Sequence, residues 1–436
     1  MTKTLSAAAL LLFLNFFAHA QFPKVKIGTQ STGSSEVQLK LTARIQSYNR
    51  LKLDKHDFFD RSINSPKSAL ILERTVNGKE IKKLYINNLE GFTTSIYDIT
   101  DTFKKIAVIK HTFTRKDFGL FKETNFPGYT FKLGKEHPNI FTGKPVEMCI
   151  SNNGRYLWVP YYHRSYDKQS TEPSAVALID ADSDKIIRVF PTAPVPKMVA
   201  CSQNDKYIAV TNWGDNTVHL IDISSGDPKK FQYVAHFVVD HKMDLNFTKK
   251  VRRDHVCGLC LRGTVFTPDS NYLLVGRMGG GGIAVFDVKN KKYLGTVFGT
   301  KENVRHLAIS GEYLFLSSNK EGIVEKTKWN DLLNYFLTRP NKKSAWYKNW
   351  QTAFAGKGVR TISVTADGAY LFANASQESK ISIVRTADMK TIGSVNADPF
   401  PVGMAIDKAN KYLIVTAQGH MGIGGNSVMI YEITRQ

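Results

Sequence analysis

Val210 to Asp222 reads VTNWGDNTVHLID, and this stretch decides the fold. Two runs, Tyr207–Asn212 and Thr217–Asp222, alternate β-branched with small or polar residues around the turn Trp213-Gly214-Asp215-Asn216, the pattern of a β-hairpin. The same phrase recurs along the chain, anchored at Tyr156, Tyr207, Tyr272, Tyr313, Tyr370 and Tyr412. Its shorter intervals set a unit of about forty residues, and the longer ones are units carrying insertions. A weaker copy at Lys82–Ile109 raises the count to seven. Four strands in roughly forty residues is the period of one propeller blade, so the expected fold class is an all-β, seven-bladed β-propeller. The last copy holds only three strands. The isolated alternating segment EVQLKLTARI, Glu36–Ile45, is expected to complete that blade and close the ring, which also removes open sheet edges.

Before that segment, Lys3 precedes the apolar run Leu5–Phe17, and Ala18-His19-Ala20 follows it, the layout of a cleavable leader over residues 1–20. Residues 21–436 are then one domain, expected to be exported, periplasmic or extracellular, and monomeric. No later run has the length of a membrane-spanning helix. Of 59 Lys and Arg, Lys3 leaves with the leader, so 58 basic side chains face 38 acidic ones, a net charge of +20. With no low-complexity tail to hold that charge, it must lie over the folded surface, and anionic partners are expected. Four cysteines are too few for a disulfide scaffold of this length. Cys257 and Cys260 could close a small disulfide; Cys149 and Cys201, on innermost strands of adjacent blades, are expected on opposite sheet faces and free.

YIAVTNWGDNTVHLID resembles the YVTN-repeat β-propellers, exported bacterial and archaeal seven-bladed propellers, over roughly Ser68–Ile433. The resemblance implies the fold. For function it implies little, because such propellers include DNA-binding periplasmic proteins, surface-layer proteins, propeller lactonases and quinoprotein dehydrogenase subunits. Two insertions depart from the plain pattern, near 232–260 and 330–357; in the second, Leu332, Leu333, Phe336 and Leu337 form a helical stripe expected to pack on the propeller.

Aligning the blades places Lys197, Arg262, Arg305 and Arg360 at equivalent positions, at or just before the start of an innermost strand. Blades two and seven break the pattern with Val146 and Val402, although Lys144 is near the former. Four cations converging on one channel mouth repel unless an anion sits among them, either a ligand or a carboxylate; Glu302 and Asp254 are the local acids that could brace them. Loops on the same face add Tyr161, Tyr162, His163 and Arg164, then Asn212 and Trp213, Arg277, Asn319 and Lys320, and Gln418 and His420. Guanidinium forks beside aromatic rings suit a polyanion such as nucleic acid or an acidic polysaccharide.

The glycine runs RMGGGGIAVF and GHMGIGGNSV lead into no helix and read as hairpin connections rather than phosphate loops. Asp254, His255, Cys257 and Cys260 bring together too few ligands for a metal, and no nucleophile elbow is present, so no cofactor or metal is expected. The first reading is an exported binding protein with a cationic face. The others are a propeller hydrolase or lyase of lactonase type, with His163 or His420 as acid or base, and an interaction scaffold using the helical insertion or the propeller face.

Overall fold

The computed structural model describes residues 25–435, except 52, 124, 135, 245–250, 340–342 and 421–422. The expected leader lies outside the described residues.

Seven antiparallel sheets, each of four core strands, surround a central axis. Blade three shows why these residues make such a sheet. In the opening hairpin Tyr207–Asn212 pairs with Thr217–Asp222, Val210 opposite His219. Ile208 and Val210 point into the seam with blade two, against Trp158 and Phe190. Ala209, Val218 and Leu220 point the other way, against Phe266 and Leu273 of blade four. Because a blade is buried on both faces, its strands read as near-continuous apolar runs rather than as half-polar ones.

Ring closure follows the expectation. Val37–Gln46 pairs antiparallel with Ile423–Arg435, after Pro401–Ile406 and Tyr412–His420, and so supplies the fourth strand of blade seven. Its inward residues Val37, Leu39 and Leu41 are fully buried with Met429 and Tyr431. Arg44, also fully buried, bridges Asp57 at 2.6 Å and Asp398 at 3.1 Å and donates to the Val25 carbonyl, tying the start of the described chain to its last blade.

Both insertions need their boundaries corrected. Gln232–Val238 is the fourth strand of blade three, so the first excursion covers only 239–260. The second lies inside blade five rather than after it: helix α1, Trp329–Leu337, follows the third strand Ile323–Lys328, and the fourth strand is Gln351–Phe354. As expected, Leu332, Leu333 and Phe336 pack on the propeller, against Val285 and Val297 of blade four. Blade one was half-hidden in the sequence. Its innermost strand, Pro66–Val76, precedes the copy recognised there. No helix among the described residues is long and apolar enough to cross a membrane.

One regularity positions the site. In six blades the residue before the innermost strand has positive φ: Ser65 at 53°, Val195 at 56°, Cys260 at 50°, Asn303 at 65°, Gly358 at 71° and Phe400 at 61°. Directly after it, pairing with the second strand slips, so that Lys67, Lys197, Arg262, Arg305, Arg360 and Val402 fall on the bulge. A bulge re-aims a side chain out of the pleat, here towards the mouth of the axial channel. For Val195, β-branched, the left-handed turn is an outlier of the kind that concentrates at functional sites.

Candidate anion-binding mouth

The structure brings Lys197, Arg262, Arg305 and Arg360 together, as the blade alignment expects, and adds three residues that sequence reasoning passed over. Lys67 occupies the equivalent bulge in blade one. Glu147, one residue past Val146, reaches inward from blade two and accepts from Arg262 at 3.0 Å, with Lys67 Nζ at 3.3 Å. His306, next to Arg305, lies within electrostatic reach of Glu147, Arg262 and Lys67. A signal for Lys67 was present: Ser65-Pro66-Lys67 in blade one parallels Val195-Pro196-Lys197 in blade three. Nothing local marks Glu147.

Among the described residues, five cations therefore share a largely buried mouth with one contacting carboxylate. Glu302, one of the two acids considered as braces, instead pairs with Lys320 at the surface. Asp254, the other, stands at the rim, bonded to Arg252 at 2.9 Å and acting on Lys197 at longer range. Burial would raise Glu147, but Lys67 and Arg262 outweigh it and hold the carboxyl below its usual range. The cations are pushed the other way. Burial, with repulsion from neighbouring guanidiniums, lowers Lys67 to about 7 against the pull of Glu147. It lowers Arg360 to about 9 and Arg305 well below its ordinary value, Arg262 adding to both and Arg360 to the second. Guanidiniums keep their proton in proteins, so for the arginines this push is a standing electrostatic cost. The Nε atoms of Arg305 and Arg360 are buried without a hydrogen-bond partner among the described residues.

Aromatic rings line one wall. Lys197 Nζ sits 3.6 Å from the Tyr162 ring centroid and 4.9 Å from that of Trp213. Opposite, Arg360 lies 5.0 Å from the Phe400 ring. Trp213 packs with Val195, Met278 and the Cys257–Cys260 disulfide. Its indole Nε1 is buried and has no partner among the described residues.

The remaining candidates divide. His163 packs against Tyr162, the ring centroids 4.6 Å apart and tilted by 54°, and bonds through Nδ1 to the Arg164 carbonyl. Arg164 is buried against Phe131, Phe141 and Tyr166 and donates to the Lys132 carbonyl, while its Nε and Nη2 are buried without a hydrogen-bond partner among the described residues. Arg277 is paired with Asp240 at 3.0 Å and bonded to Thr296. His420 ends the strand Tyr412–His420, and its side chain lies outside the described residues. Lys144 pairs with Glu90. Tyr161 is buried and bonded to His111, Asn212 bonds within its own hairpin, Asn319 caps the Val359 carbonyl and Gln418 bonds Ser65. Cys149 and Cys201 are free, yet both pack into the seam of blades two and three. Opposite faces of adjacent sheets look at each other, so the expected opposition turns the two thiols together.

The structure superposes on Kuenenia stuttgartiensis hydrazine synthase with a TM-score of 0.53 and 11% identity, over 81% of this chain and 92% of that one. On the Myceliophteria thermophila Cps50 (Swd1) β-propeller domain the TM-score is 0.55 with 13% identity, over 85% and 97%. At these identities the likeness is one of fold. No curated protein matches the chain. The family model described as lactonase, 7-bladed β-propeller, matches residues 136–434, which takes in blades two to six, the C-terminal strands of blade seven and every cation of the mouth except Lys67. The chain belongs to the seven-bladed β-propeller lactonase family.

Proposed function

We propose that the protein binds a compact polyvalent anion at the channel mouth. One observation carries the reading: Lys67, Lys197, Arg262, Arg305 and Arg360 converge on one another with Glu147 as the contacting carboxylate, and two guanidinium Nε atoms, of Arg305 and Arg360, stand buried with no partner among the described residues. Burying charge without a partner is costly, and a bound oxyanion supplies the missing acceptors. Because Arg262 and Lys67 are themselves buried, a compact polycarboxylate or phosphorylated molecule, or one anionic end group, fits better than the continuous backbone of a nucleic acid or polysaccharide. Export belongs to the same reading and is supported by the leader and by the Cys257–Cys260 disulfide, which persists in an oxidising compartment.

Native mass spectrometry of the purified protein, followed by titration with citrate, tests the reading. Arg305→Ala and Arg360→Ala should each weaken citrate binding by about tenfold or more, since a charge-assisted contact contributes roughly 1.5–3 kcal/mol. In anion-free buffer each should melt at the wild-type temperature or above it, because a repelling cation is gone. Variants that lose stability and bind citrate unchanged would refute the site.

Family membership favours a second reading, hydrolysis of a lactone. Burial pushes His306 down to about 4, leaving it neutral but a weak base near pH 7, so proton transfer to it has to be driven by the charge that develops as water adds. His306 would accept a proton from water as the oxygen adds to the lactone carbonyl. The ring C–O bond then breaks, the proton passes to the leaving alkoxide, and the carboxylate product is held by the arginines. This moves the acid–base role from His163 and His420 to His306. Acid release from simple aliphatic lactones in a pH-stat, abolished by His306→Gln, is the check; no release with any of them would leave binding alone.

A further inference from the structure

Of the side chains that the bulges aim at the mouth, two are lysines, Lys67 and Lys197. Their surroundings differ. Lys67 is buried, with its Nζ 3.3 Å from Glu147. Lys197 is only partly buried, and among the described residues its Nζ has neither a carboxylate nor a hydrogen-bond acceptor beside it; what it meets are the faces of Tyr162 and Trp213, 3.6 and 4.9 Å from the ring centroids. Both rings are held in place, Tyr162 by its hydrogen bond to Asp254 and its packing on His163, Trp213 by Val195 and Cys257. A ring face attracts an ammonium, yet it offers no oxygen to accept the ammonium protons. Burial, with repulsion from Arg262, Lys67 and Arg305, pushes the Lys197 amine well below the ordinary lysine range against the pull of Asp254. Desolvation beside other cations is the environment that frees a lysine lone pair for attack on a carbonyl. An arginine at the same bulge could not supply one, because a guanidinium keeps its proton.

We propose that Lys197 is a nucleophile that forms an imine with the keto group of a compact oxo acid, whose carboxylates are held by Arg262, Arg305 and Arg360; this rests on the binding reading above and names the class of anion. The Nζ lone pair adds to the carbonyl carbon, the C=O π pair moves to oxygen, and a proton passes from nitrogen to that oxygen, giving a carbinolamine. Its C–O bond then breaks, the hydroxyl leaves as water with the second proton of the nitrogen, and the nitrogen lone pair closes the C=N bond. One amine and one carbonyl become one imine and one water, with no change of oxidation state. As a free amine Lys197 adds no charge to the mouth, and Lys67 and the three arginines remain to hold the acid. An anion of this class carries a keto group close to its carboxylates, so that binding the carboxylates brings the carbonyl to the amine. With two carboxylates and one keto group, 2-oxoglutarate is a probe of that description.

The test treats the full mature chain with 2-oxoglutarate and sodium cyanoborohydride, which reduces an imine to a stable secondary amine, and maps the modified lysines by peptide mass spectrometry. At pH 7 an ordinary lysine is less than about one part in a thousand free amine, so the adduct should form on Lys197 at least about a hundredfold faster than on exposed lysines. Citrate should suppress it over the concentrations at which calorimetry shows citrate to bind. In Lys197→Arg, which keeps a charge and lacks the amine, the fast adduct should vanish. Modification of Lys197 no faster than that of exposed lysines, in a protein that binds citrate, overturns the proposal and leaves the mouth standing as an anion site. A fast adduct that lies on Lys67 instead, or one on Lys197 that saturating citrate does not suppress, overturns it as well. Absence of both citrate binding and a fast adduct refutes the binding reading, and the nucleophile falls with it.

Discussion

Glu147→Gln is the most informative single change, because it removes the contacting negative charge from the mouth and little volume. Wild-type Glu147 holds Arg262 at 3.0 Å and Lys67 at 3.3 Å, both cations buried and the carboxylate mostly so. Taking one partner from a buried ion pair typically costs about 3–5 kcal/mol, chiefly because the other charge is left uncompensated. An unfolding entropy of about 2.1 cal/mol/K per residue gives a propeller of this size roughly 0.9 kcal/mol/K, so the melting temperature should fall by about 3–6 °C in buffer free of multivalent anions. Citrate should reverse the loss. A ligand at a hundred times its dissociation constant stabilises by about 2.7 kcal/mol, and the variant should bind more tightly than wild type because no internal carboxylate competes for Arg262 and Lys67. The assay is thermal unfolding of both proteins over a citrate series. A variant melting within about 1 °C of wild type without citrate, or gaining no more from citrate than wild type, would refute the charge account of the mouth.

Lys67, lowered to about 7, makes anion binding depend on pH: above that value the empty protein must take up a proton to bind, so the citrate dissociation constant should rise by up to tenfold per pH unit from 7 to 9. Lys67→Met should flatten the profile, and a flat wild-type profile would count against the assignment. For the anion-free fold the sign is opposite, Lys67 making the protein more stable as pH rises from about 7 towards the ordinary lysine range, because the unfolded chain holds a proton that the folded one lacks. Arg44→Met should strand the Asp57 and Asp398 carboxylates and lower the melting temperature by several degrees; an unchanged melt would show that the closing strand needs no such lock. Thiol labelling of the unfolded, unreduced protein should mark Cys149 and Cys201 alone, and four labelled cysteines would rule out the Cys257–Cys260 bond.

The amino-acid sequence by itself determined what repeats and what is local. The hairpin at Val210–Asp222 and its copies set seven blades, because each blade is a contiguous run whose strands pair with their chain neighbours. The same copies placed Lys197, Arg262, Arg305 and Arg360 at one structural position, since a bulge at a fixed point of the repeat aims equivalent residues alike. Even the closing strand was legible, as a blade short of one strand and a spare alternating segment. Only the tertiary structure decided what faces those cations. Glu147 lies 115 residues from Arg262, and the two meet because the ring closes on its axis. Arg164 and Arg277 resemble mouth residues in composition, but aromatic and acidic partners from distant segments capture them. Cys149 and Cys201 show the same limit: alternation states which face of its own sheet a residue takes, and neighbouring sheets turn opposite faces towards each other. Periodicity along a chain is a local property, whereas charge compensation across a channel belongs to segments that only closure of the ring brings within a few ångströms.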